Sequence, residues 1–419
     1  MTTPPLPRAA LSTMWAVQPR FEDDLASFLA VAAEAGFAGI EVNHSMDPRQ
    51  TRTLIEAARA TGLEARSLHA PAPWALIEGG PYQGRENRTL NLASLDEAER
   101  RLAVEHHIRS IEVAAHASMT AVVVHLGAIG PLDTTLEGEE WLRREYLAGV
   151  SVRGEPGEPP RGQPQGRPTP SAKPAREEPS TSSGRAGFGS GLSVRPERTG
   201  GAVEGPRRQP EARSPAPAAA RPEPVEGPPG AAASEARPTP SDAPRTTEYL
   251  ERLDAARRER AAVAPPWLEA ARRSLADLAP RAAEAGVTLG LESRLRYHEF
   301  PLPQEAADLL REHPIDVAGY WHDVGHVEVL ARLGLVPLDA WRDLLATRLV
   351  GVHIHDVRGL TDHRAPGTVE DGTHRGVDFT ALASMLPSGG LRTFEVDQHE
   401  PPAALASGLV LARTAGLVG

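Results

Sequence analysis

Seven side chains of metal-ligand or acid–base type stand where apolar runs of this sequence stop: His69, His125, Glu292, Asp323, His353, His355 and Glu395. A single carboxylate in such a place usually caps a helix or pairs with an arginine. Seven such residues on six successive runs call for a shared explanation. Glu292, Asp323, Glu395 and the imidazole of His353 make an oxygen-rich donor set with one nitrogen, which suits Mn²⁺, Mg²⁺, Co²⁺ or Zn²⁺. The chain has no cysteine, so thiolate zinc sites, disulfides and a cysteine nucleophile are excluded. Three crowded carboxylates without a cation repel and raise one another's pKa. One divalent metal relieves that, and it stabilises the charge that develops when a proton leaves a carbon next to a carbonyl.

The elements that must bring these residues together are short apolar runs alternating with helical patterns. Eight strands are expected: Ala10 to Met14, Gly39 to Asn43, Ala65 to His69, Ala121 to Leu126, Val287 to Glu292, Asp316 to His322, Leu349 to His355 and Leu391 to Val396. Ala121-Val-Val-Val-His-Leu is the clearest near-continuous run, the signature of a parallel strand covered on both faces. Between the strands lie helices such as Ser94 to Ala117, expected to open with a Ser94-x-x-Glu97 capping box and to bury Val104, Ile108, Ile111 and Ala115 on one face. Eight strand-then-helix units imply a closed (β/α)8 barrel of the α/β class, whose active site lies at the C-terminal ends of the strands. An open doubly wound sheet fits less well, since no Gly-x-Gly-x-x-Gly turn follows the first strand.

The chain of 419 residues is longer than such a barrel needs. Residues 151–245 hold 20 of its 40 prolines and 13 of its 38 glycines, but only six large apolar side chains. A stretch so poor in apolar groups cannot offset its ordering entropy by burial, so a long disordered insertion between strands 4 and 5 is expected. Its echoes, such as Arg-Pro-Thr-Pro-Ser at Arg167 and again at Arg237, are too short to stack as a solenoid. The boundaries follow: residues 1–150 and 246–419 are the two halves of the barrel. The insertion is net +3, which leaves −14 of the chain's −11 total on the barrel. An acidic fold does not attract a phosphate backbone over a broad surface, which speaks against nucleic acid as a main partner. No run of 18 apolar residues spans a membrane, and Met1 to Val17 lacks the apolar core of a signal peptide, so a cytoplasmic protein is expected. Homo-oligomerisation stays open.

Further residues near the strand ends complete the pattern. In Asp323-Val-Gly-His326 a helix start would point His326 back over the site. In His353-Ile-His355-Asp356 the two histidines share one face of the strand, and Asp356 faces away, toward backbone or an arginine. Arg294, Arg296 and Arg358 follow strand ends, where they could take a phosphate or form ion pairs.

In this order, Val122-Val-Val-His125-Leu-Gly, Leu289-Gly-Leu-Glu292, Trp321-His-Asp323-Val-Gly-His326, His353-Ile-His355-Asp356 and Asp362-His363-Arg-Ala-Pro366-Gly367 resemble the xylose isomerase-like barrel superfamily, and within it the sugar phosphate isomerase/epimerase group. The resemblance covers residues 1–150 and 246–419 and none of the insertion. It implies that Glu292, Asp323, His353 and Glu395 bind one divalent metal. It also implies that Glu292 and Glu395 lie on opposite sides of a small sugar and move a proton through an enediolate. Substrate contacts are expected from His69, His125, His326, His355, His363 and Arg358. The alternative in the same superfamily resembles the endonuclease IV branch, which cuts DNA at abasic sites with three zinc ions. Seven of its ligand positions match, but its Asp-x-His pair does not: Asp362 is followed directly by His363, and Arg364 takes the histidine's place. A polyol dehydratase, or a non-catalytic sugar-binding barrel that has lost a ligand, completes the set of expectations.

Overall fold

A computed structural model of the chain describes residues 6–22, 24–132, 136–152, 246–368 and 376–419. Eight parallel strands close into a barrel: β1 (Ala10–Ser12), β2 (Gly39–Val42), β3 (Glu64–His69), β4 (Ala121–Val124), β5 (Thr288–Glu292), β6 (Ala318–Asp323), β7 (Leu349–Ile354) and, after an antiparallel ribbon of β8 (Asp356–Arg358) and β9 (Thr361–Arg364), the closing strand β10 (Leu391–Phe394). β1 pairs with β10 on one side and β2 on the other, so the barrel has no open edge. The helices are α1 (Leu25–Ala35), α2 (Pro48–Thr61), α3 (Glu97–His116), α4 (Glu137–Val152), α5 (Thr247–Ala285), α6 (Pro303–Leu310), α7 (Val324–Arg332), α8 (Leu338–Leu345), α9 (Phe379–Met385) and α10 (Pro402–Thr414). All eight expected strands form, most of them one or two residues shorter at an end than the sequence implied.

Local chemistry sets where the helices begin. Asp47 caps α2 by accepting from the Arg49 and Gln50 N–H groups, and the Gln50 side chain returns a bond to the Asp47 N–H. α3 differs from expectation. Its cap is Asp96, which accepts from the Ala98 N–H, while the Ser94 hydroxyl turns to Glu99 and accepts from the Asp96 N–H. The serine box fails because a stronger cap stands two residues on.

Of the expected insertion, residues 151–245, the first two end α4 and residues 153–245 lie outside the described residues. On either side of it, α4 and α5 pack together: the Gly138 N–H bonds Glu259, and a Cβ on Gly138 would lie 2.7 Å from that of Ala256. Arg100 on α3 also reaches Ser274 and Asp277 on α5. These contacts join the two halves of the barrel. Its main apolar core lies between the strands and the helices, while a small second cluster of Ala121, Val123 and Trp321 fills the interior. The Trp321 indole has room there because its neighbours across β5 and β7 are Gly290 and Gly351. Among the described residues, no helix is long and apolar enough to cross a membrane.

Candidate metal centre and active site

Strand β5 ends on Glu292, β6 on Asp323 and β3 on His69. His125 follows β4 by one residue, Glu395 follows β10 by one, and His353 lies one residue inside the end of β7. Parallel strands in one barrel bring these ends to one rim, and the ligand atoms of Glu292, Asp323, His353 and Glu395 all lie within 4.8 Å of one another. All four are buried. His353 Nδ1 is 2.6 Å from Glu292 Oε1, 2.9 Å from Glu395 Oε2 and 3.5 Å from Asp323 Oδ2.

The far side of that imidazole has a partner the sequence reading missed. His353 Nε2 donates to Glu41 Oε1 at 3.0 Å, and the other Glu41 oxygen accepts from the Ser67 hydroxyl at 2.7 Å. The only signal for Glu41 was a charge inside the four-residue apolar strand β2. Its consequence is a fixed ring: with Nε2–H held by Glu41, Nδ1 faces the three rim carboxylates. Burial disfavours a charged His353, but Glu395 and Glu41 raise it well above its ordinary value. Burial would likewise raise the carboxyls, yet His125, His353 and Arg294 hold Glu292 well below the usual range, and His353 and His69 do so for Glu395. For Asp323 the opposing charges are His326 and His355.

The donor set fits a hard divalent cation. Glu395 Oε2 is buried and makes no hydrogen bond, and His69 Nδ1, 3.3 Å from the other Glu395 oxygen, is also without one. Ligand atoms that converge without satisfying one another are what a shared cation would satisfy.

The expected substrate-contact residues fall into two neighbourhoods. His69 Nε2 lies 2.6 Å from His125 Nε2, and these two with Glu292 form a second group within 4.8 Å. Glu41, His69, His353 and Glu395 form another such group. On the opposite side His326, Asp362 and His363 also converge within 4.8 Å. As expected, α7 starts at Val324; Asp323 caps it by accepting from the His326 N–H at 2.7 Å. The His326 Nδ1–H donates to the Ser293 carbonyl, which leaves Nε2 at 3.4 Å from Asp362 Oδ2. His355 lies between β7 and β8. Its Nδ1 accepts from the His363 N–H at 2.8 Å, so its Nε2–H donates to Asp323 at 2.9 Å. Arg358 stands half-buried on β8, in the ribbon whose second strand carries Asp362 and His363. Asp356 takes backbone N–H groups of Val357, Gly367 and Val377.

The arginine after β5 is an ion pair and not a free anion receptor. Arg294 Nη1 donates to Glu292 Oε2 at 2.6 Å, while its Nε and Nη2 bind Glu299 Oε1. His44, just past β2, is a rim histidine that the sequence reading did not single out; it packs edge-on to His69 and is held neutral by burial, its pKa lowered to about 3.

With this geometry in hand, comparison with known proteins adds the lineage. No curated protein sequence matches the chain significantly. Among solved structures, a D-tagatose 3-epimerase-like protein shares 13% identity over 97% of this chain and 96% of its own, with a TM-score of 0.50. A D-allulose 3-epimerase from Methylomonas sp. shares 13% over 99% and 100%, at 0.51. A D-psicose 3-epimerase from Clostridium cellulolyticum H10, solved with D-tagatose, shares 10% over 98% and 99%, at 0.50. At such identities the likeness speaks for the barrel. The xylose isomerase-like TIM barrel model matches residues 29–148 and 257–411, on both sides of the insertion and across most of the rim, and the chain therefore belongs to the xylose isomerase-like TIM barrel family.

Proposed function

We propose that this protein is a divalent-metal-dependent isomerase or epimerase of a small sugar or sugar derivative. The observation that carries the reading is the buried convergence of Glu292, Asp323, His353 and Glu395 at the C-terminal mouth of the barrel. These four residues would hold the metal, which supplies Lewis acidity to adjacent substrate oxygens and stabilises negative charge beside a carbonyl. Glu292 and Glu395 are kept as carboxylates by their imidazole neighbours, the state needed to take up a proton from carbon. One removes the proton and the other returns it, in an epimerase to the same carbon. Glu41 orients His353, and His326, anchored through Nδ1, holds its ring beside Asp323 for a substrate oxygen. A ketose substrate is part of the proposal, supported by the sugars named for the solved proteins of similar fold.

The test is proton exchange in D₂O. Metal-loaded protein is incubated with a panel of ketoses, and deuterium at the stereogenic carbon is followed by NMR. Glu292→Gln and Glu395→Gln should each lower exchange about 10²-fold or more with an unchanged circular dichroism spectrum. Normal turnover in both variants would sink the catalytic assignment, and loss of a hydroxyl in place of exchange would point to a dehydratase.

One observation favours a second reading, abasic-site DNA cleavage of the endonuclease IV type. His326, Asp362 and His363 converge despite the broken Asp-x-His spacing. Against it stand the acidic chain and the pairing of Arg294 with Glu292, which takes a basic group away from any phosphate.

A further inference from the structure

His69, His125 and Glu292 have the composition of a second cation site, two imidazoles and a carboxylate directly beside the first site. Glu292 Oε2 and His125 Nε2 are only 2.5 Å apart, and His69 Nε2 is 3.7 Å from the same oxygen. With the His125 hydrogen on Nδ1, the two facing lone pairs need positive charge between them. The chain supplies it. Arg294 Nη1 is 2.6 Å from Glu292 Oε2 and 2.5 Å from His125 Nε2, and it carries two N–H groups, one for each.

This guanidinium is not a loose surface group. Its Nε and Nη2 bind Glu299 Oε1 at 3.2 and 3.0 Å, and Glu299 Oε2 in turn accepts from the Arg296 N–H at 2.8 Å, so the fork is tied to the loop that follows β5. The Arg294 side chain is only 13% exposed. An arginine in a protein stays protonated and offers donors only. A metal ion would need the two lone pairs that Nη1 already uses, and would sit within about 2 Å of them, against a fixed positive charge.

We propose that Arg294 is a built-in cation that occupies the second position, limits the Glu292 side of the rim to one metal and leaves only Glu292 Oε1 for it. Arg294 is thereby a specificity-determining positioning residue. It removes the paired-metal arrangement that suits phosphodiester hydrolysis and leaves a carboxylate suited to proton transfer. The inference rests on the proposed function in one respect, that Glu292 is a metal ligand.

The experiment counts metal. Chelator-treated protein is titrated with Zn²⁺ alone and bound zinc is measured by elemental mass spectrometry after gel filtration, every count being read relative to wild type. Arg294→Met should gain one Zn²⁺ per chain, and His125→Ala in the Arg294→Met background should lose that gain. His125→Ala alone should leave the wild-type count unchanged. An Arg294→Met count equal to wild type would overturn the proposal. So would a lost ion in His125→Ala alone, which decides the matter even if Arg294→Met does not fold. Asp323→Asn separates the two readings: failure to lose an ion there strikes the proposed function while leaving the Arg294 comparison intact.

Discussion

Replacing Gly351 by alanine would put a methyl group into the floor of the site. A Cβ at this position would lie 2.2, 2.3 and 2.5 Å from Trp321 Cζ3, Cε3 and Cη2, whereas non-bonded carbons rest about 3.5–4.0 Å apart. The indole must therefore move by more than about 1 Å. It cannot do so cheaply, because Trp321 is fully buried and a Cβ at Gly290 on the other flank would already be 2.6 Å from the same ring. Overpacking of this kind costs about 1–3 kcal/mol, and a rigid ring between two strands belongs at the upper end, a fall of several degrees in Tm. The displaced ring also presses on His353, whose centroid is 5.2 Å from it in an edge-on contact. Metal affinity should fall as well. Gly319→Ala is the control, since its Cβ would meet Val350 Cγ1 at 2.3 Å and the Arg348 carbonyl at 2.8 Å, on the inward face of β6 but two residues further from the rim than Trp321. It should lower Tm comparably and leave Mn²⁺ affinity intact. Calorimetry and a Mn²⁺ titration on both variants read the two effects separately. A Gly351→Ala protein that melts within a degree of wild type, or a Gly319→Ala protein that loses as much affinity, would refute the argument.

Two further outcomes follow from groups around the rim. Glu41→Gln removes the carboxylate that orients His353, and Mn²⁺ affinity should drop about 10–100-fold with little change in Tm; an unchanged titration would show that the ring holds its orientation without Glu41. Glu139 on α4 is buried and bonds Arg143, the Tyr297 N–H and His298. Burial would raise its carboxyl, but His298 and Arg143 hold it at about 2, below the unfolded value of about 4.5. A depressed folded pKa gives stability that is present above about pH 4.5 and lost as pH falls toward 2, about 3 kcal/mol in all. Urea unfolding at pH 7 and pH 3 should show about 2 kcal/mol of that loss in wild type and less in Glu139→Gln; equal losses would remove Glu139 from the account.

The strands were legible because a parallel strand covered on both faces must be apolar along its length, and a polar residue that ends it stands out. That is why Glu292, Asp323 and His69 could be read from one dimension. Glu41 could not, because in Gly39-Ile-Glu41-Val42 its charge looks like an interruption of an apolar run, and only barrel closure turns it toward His353. The ribbon β8–β9 was missed for a different reason: strands of three and four residues carry too little alternation to register. Arg294 was visible as a basic residue after a strand, but its choice between a phosphate and Glu292 is a matter of distance in three dimensions.

The Asp362–His363 pair shows how a local backbone choice can override a sequence pattern. In an extended strand adjacent side chains point to opposite faces, so a pair without a spacer should not aim at one partner. His363, however, has φ of 56°, in the left-handed region that a residue with a Cβ rarely adopts. Its N–H is held by His355 and its ring Nδ1 by the Glu395 carbonyl, two bonds that fix the turn. Asp362 Oδ2 can then lie 3.4 Å from His326 and 3.5 Å from His363. The sequence test for a third cation thus gave a negative for a reason the backbone undoes, while the group on the opposite side of the rim, complete in its ligands, already holds the Arg294 guanidinium. Counting ligand-type residues in a barrel of this family therefore does not count its ions. The number depends on side chains that bind the ligands, and on the φ of one residue between them.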